Sequence, residues 1–151
     1  MTSPSGVLPA AVVADANVLL SAVIGGRALV VLRHVRGPRC ITTPAVIAEV
    51  GEYIPPLGAR KRLNVDRLLA EFHLLPLAII GADIYEPFLE EALRRIGHRD
   101  PDDWPTVALA LALDLPIWSQ DKDLAVAGLT VYTTGQLLDA LRDETKTGAN
   151  E

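Results

Sequence analysis

Residues 11–14 of this chain, Ala-Val-Val-Ala, form an apolar run that stops on Asp15. Four apolar residues closed by a carboxylate have the length of a strand buried on both faces. A side chain at the carboxyl end of such a strand stands where open α/β sheets bind their ligands. Asp is equally a favoured helix N-cap, which would account for Asp15 without any chemistry. The company Asp15 keeps in the fold decides between the two.

Downstream, short apolar runs alternate with helical patterns. A short helix is expected over 18–23, broken by Gly25-Gly26, with helical spacing resuming over 27–35 and ending at Gly37-Pro38. Residues 40–42 read as a second strand, and Thr43-Pro44 as a hydroxyl cap followed by proline at the first helical position. That helix carries Glu49 toward Tyr53 and is expected to stop at Pro55-Pro56. An amphipathic helix over 60–72 precedes a third strand over 73–77, and Glu86-Pro87 opens a helix through Ile96 that Gly97 closes. Residues 107–113 are apolar on every face and predict a helix in the middle of the molecule. Strands over 115–119 and 129–132 follow, and Thr133-Thr134 caps a last helix. Alternating strands and helices predict an α/β fold, a parallel sheet covered on both faces.

The chain's 151 residues suit one domain, placed at 10–144, with loosely held ends over 1–9 and 145–151. A net charge of −5 excludes the basic field of a protein that coats DNA, so any nucleic-acid contact must rest on local patches. The lone Cys40 allows no internal disulfide, which fits a reducing, cytoplasmic setting. No apolar run reaches the ~20 residues of a membrane span, and the N-terminal stretch lacks the basic start of a signal peptide.

Four acids occupy comparable places: Asp15 after the first strand, Glu49 within a mostly apolar helical face, Asp103 before the buried helix, and Asp121 after the fourth strand. Carboxyl ends of parallel strands line one sheet edge, so these side chains can converge. Convergence is costly, because two carboxylates ~4 Å apart repel by roughly 4 kcal/mol at an effective dielectric of 20. A hard divalent cation with oxygen ligands, Mg²⁺ or Mn²⁺, removes that cost. Zinc would want the His and Cys pairs that the spacing of His34, His73, His98 and Cys40 does not offer.

Asp15-Ala16-Asn17-Val18-Leu19-Leu20, Val46-Ile47-Ala48-Glu49-Val50, Asp103 followed by Val107-Ala108-Leu109-Ala110, and Ser119-Gln120-Asp121-Lys122-Asp123-Leu124 together resemble the PIN domain, including the VapC-like toxins. The resemblance implies a three-layer fold with a five-stranded parallel sheet. It also implies a ribonuclease that depends on Mg²⁺ or Mn²⁺. By position, Asp15, Glu49, Asp103 and Asp121 would be its catalytic and metal-binding acids, Asp123 an auxiliary ligand, and Asn17 and Ser119 supporting polar groups. The partners implied are an RNA substrate, a small antitoxin protein and a second copy of the chain in a dimer. Trp104-Pro105 stands where many relatives have a small residue, so Asp100 or Asp102 could share the role given to Asp103 or substitute for it.

Each residue also has a plainer role: capping for Asp15, Asp103 and Asp121, a solvated acid for Glu49, and turn bonding for Asn17 and Ser119. Arg60, Lys61, Arg62, Arg67, Arg94, Arg95 and Arg99 either meet RNA phosphate or form solvated helix faces. Trp118 reads as core, and Trp104 stays open between packing and base stacking. A PIN-like module that binds without cleaving is the rival function. A receiver-type phosphoacceptor is disfavoured, because it would want adjacent acids at the first strand and a late Lys.

Overall fold

The computed structural model describes residues 6–96 and 99–149. Five parallel strands, β1 (Ala11–Ala14), β2 (Arg39–Thr42), β3 (Leu77–Ile79), β4 (Ile117–Trp118) and β5 (Val131–Tyr132), form one sheet in the order β3-β2-β1-β4-β5. The expected five-stranded α/β architecture is therefore present. Alternation along β1 builds two cores. Val12 and Ala14 pack with α1 (Ala16–Val23), α2 (Arg27–Arg33), α3 (Pro44–Lys61), α4 (Val65–His73) and α9 (Thr134–Ala149) on one side. Val13 packs on the other side with α5 (Ala82–Tyr85), α6 (Leu89–Ile96), α7 (Trp104–Leu113) and α8 (Lys122–Val126). Side chains two residues apart share a face, which is why four residues serve both layers.

Several boundaries differ from expectation. Pro55 and Pro56 do not stop α3, which continues to Lys61. Val46, Val50, Ile54 and Leu57 carry its buried stripe past them, while both prolines lie on the exposed side, where water can satisfy the freed carbonyls. The predicted helix over 60–72 is really the end of α3 and the start of α4. Arg62 takes the left-handed conformation (φ 56°), the Leu63 N–H donates back to the Gly58 carbonyl at 2.8 Å, and Asn64 caps α4 through the Arg67 N–H at 3.0 Å.

The third strand lies later than 73–77, because α4 holds His73 and pairing starts at Leu77. The helix expected from Glu86 is preceded by α5 and a 3₁₀ turn over Glu86–Phe88. Its expected closure at Gly97 lies outside the described residues. The central helix α7 is as expected, buried from Pro105 to Ala110. Thr133 and Gln136 exchange side-chain-to-backbone hydrogen bonds at the start of α9, a capping box. The helix then runs to Ala149, past the boundary expected at 144. Among the described residues no single helix is long and apolar enough to cross a membrane.

Candidate functional site

Strand order reverses between β1 and β4, so a crevice opens at their carboxyl ends. Asp15 ends β1 there and is 8% exposed. One of its oxygens accepts from the Val18 N–H at 3.0 Å, capping α1, and the other accepts from the Ser119 hydroxyl. Capping and chemistry are thus compatible at Asp15. Burial raises its pKa, the two hydrogen bonds oppose that rise, and the Asp121 charge adds to it.

Ser119, fully buried at the end of β4, also accepts the Asp121 N–H at 2.9 Å. It therefore sets both acids without lining the cavity itself. Asp121 in turn caps α8 through the Asp123 N–H at 2.9 Å.

A cavity of about 270 Å³ is lined by Asp15, Ala16, Asn17, Leu20, Glu49, Tyr53, Asp100, Asp102, Asp103 and Asp121. The four principal acids of the sequence analysis and Asn17 are all brought to it. Asp103 makes no capping bond at the start of α7. Burial first, then the charges of Asp100, Asp15 and Asp121 and a hydrogen bond with Asp100, push its carboxyl up to about 7. Glu49 enters from the exposed side of α3, and partial burial together with Asp102, Asp100, Asp15 and Glu52 raises it too.

Asp123 does not join this group. Its carboxylate sits 3.2 Å from the Arg99 guanidinium, outside the cavity lining. Of the two alternatives for Asp100, it stands beside Asp103: single oxygens of Asp100, Asp103 and Asp121 lie within 4.8 Å of one another. Three acids within four residues, Asp100-Pro101-Asp102-Asp103, were the available signal. Tyr53 was overlooked as a site residue, although its i+4 spacing from Glu49 puts both on one helical stripe.

Trp104 is half-buried and packs on Tyr85 with ring centroids 5.6 Å apart, so it serves packing. Burial pushes the Cys40 thiol up to about 12, far from the range of a nucleophile.

An all-oxygen set of partly desolvated carboxylates fits a hard divalent cation. Asp103 already shows the conflict that such an ion would relieve, since its neighbours' charges favour its protonated form.

A PIN-domain family model matches residues 13–142. The chain belongs to the PIN-domain family. Its fold is similar to that in the crystal structure of VapBC2 from Rickettsia felis bound to a DNA fragment from their promoter. The TM-score is 0.57 at 12% identity, over 80% of this chain and 96% of that one. No curated protein matches. In this PIN domain the family match spans β1 to α9, and so includes every acid of the cavity.

Proposed function

We propose that this PIN domain is a divalent-metal-dependent endoribonuclease, the toxin of a two-protein toxin–antitoxin pair acting in the cytoplasm. The observation that carries this reading is the convergence of Asp15, Glu49, Asp103 and Asp121, with Asp100, on one cavity. Asp15, Asp103 and Asp121 would hold Mg²⁺ or Mn²⁺, with Glu49 and Asp100 completing the oxygen donors. When bound, the ion supplies Lewis-acid stabilisation of phosphate charge and makes water nucleophilic near neutral pH.

The protein's own part is placement. Ser119 and the Val18 N–H fix both oxygens of Asp15, so its orientation is set before any ligand arrives. Glu49, the more exposed acid with a raised pKa, can hold or pass a proton at the cavity mouth. The likeness to VapBC2 supports a small antitoxin as partner, and a homodimer is the expected assembly.

The test is incubation of the purified chain with mixed RNAs in Mg²⁺ or Mn²⁺, beside Asp103→Asn and a chelator control. Cleavage lost in both controls is the expected result. RNA bound without cleavage would instead make the domain a binding module.

A further inference from the structure

We infer that Tyr53 is a stacking platform for a base of single-stranded RNA next to the scissile phosphate, an inference that rests on the ribonuclease reading above. The chain has seven aromatic residues, and six are buried or half-buried. Tyr53 alone is exposed, at 55%, and it lines the acidic cavity. Exposure alone is ordinary for a lone apolar side chain; what sets Tyr53 apart is that its exposed ring stands at the wall of the carboxylate cavity.

The ring stands one turn, about 6 Å, beyond Glu49 on α3. With Leu20 and Ala16 of α1, it gives an otherwise polar cavity, lined by carboxylates and Asn17, its apolar surface. Arg60 falls on the same stripe, eleven residues beyond Glu49 and exposed, so α3 presents acid, ring and cation in line. A strand whose phosphate sits at the acids can lay a base on Tyr53 and bring a later phosphate toward Arg60. Every base has a π-face, so such a platform adds affinity with little sequence preference.

The test compares the full chain with Tyr53→Ala and Tyr53→Phe on a short oligoribonucleotide and on an abasic strand of the same length. Tyr53→Ala should raise KM on the base-bearing strand roughly 5- to 150-fold with kcat little changed, and leave the abasic strand unaffected. Tyr53→Phe, which keeps the ring, should stay near the parent. A second readout needs no cleavage: in an Asp103→Asn background, the emission of a Tyr53→Trp variant should be quenched by the base-bearing strand and not by the abasic one.

An unchanged KM in Tyr53→Ala, or an equal loss on both strands, overturns the inference while leaving the nuclease intact. Quenching by the base-bearing strand, with no cleavage by the parent chain in Mg²⁺ or Mn²⁺, refutes hydrolysis and leaves the platform standing. No quenching in the Asp103→Asn background together with no cleavage by the parent chain refutes the two together.

Discussion

The Ser119 hydroxyl donates to Asp15 across 104 residues of sequence, tying the end of β4 to the end of β1 beneath the acids. Ser119→Ala removes that donor from a buried carboxylate and also strips the Asp121 N–H of its acceptor. The cost should be about 1–3 kcal/mol of stability, read by urea denaturation near neutral pH. Cleavage should fall by roughly tenfold or more, because Asp15 loses its fixed orientation.

Stability of the metal-free chain should decline as pH rises from about 4 to about 7. Asp103 ionises near 3.8 when unfolded, whereas folding moves it to about 7. Between those values the folded chain keeps a proton that the unfolded chain has released. Raising the pH therefore favours unfolding until both forms are ionised. Melting in a chelator, compared at about pH 5 and about pH 8, checks this, and Asp103→Asn should flatten the profile. Added Mg²⁺ should stabilise more at the higher pH, where no proton has to be displaced.

Asp121 and Asp123 are two residues apart and should behave oppositely. Asp121→Asn is expected to lower cation affinity and cleavage by about 100-fold or more, at or above the loss seen when a ligand's supporting partner is removed. Asp123→Asn breaks only an exposed pair with Arg99, worth at most about 1 kcal/mol, and should leave cation affinity nearly unchanged. Titration calorimetry with Mn²⁺ separates the two variants.

Gly58→Ala should destabilise the fold by roughly 1–3 kcal/mol, even though Ala is the better helix former by about 1 kcal/mol. A methyl there would meet Val65 Cγ2 at 2.8 Å, and the β-branched Val65 has little freedom to yield. Thermal denaturation of the variant is the check.

Gly58 also marks where the sequence was hardest to read. The turn over 62–64 depends on a left-handed Arg62 and on α4 crossing close to a glycine, both tertiary effects that a charged amphipathic stretch does not announce. Pro55-Pro56 misled for a related reason: a proline pair ends a helix only when its freed carbonyls are buried, and here the pair faces out.

The strand starting at Ala11 was legible because apolar side chains on both faces leave little else for such a run to be. The meeting of Asp15, Asp103 and Asp121 at one cavity was legible for the same kind of reason, since strand ends and helix starts share one sheet edge, while Glu49 stood out as an acid within a mostly apolar helical face. Asp100 and Asp123 were both candidates, but which of them reaches the cavity was not legible. Whether an acid beside the sheet edge turns inward or toward a nearby arginine is set by tertiary geometry, and Arg99 pairs with Asp123, in the first turn of α8, from a segment 24 residues away.

Because β1 sits mid-sheet and its second neighbour is β4, the chain must travel from Ala14 to Trp118 before the two halves of the crevice meet. No fragment ending short of that pairing can contain the pocket, however well its early helices form. During synthesis Asp121 therefore cannot meet Asp15 until β4 has emerged, although β1 and β2 can already pair.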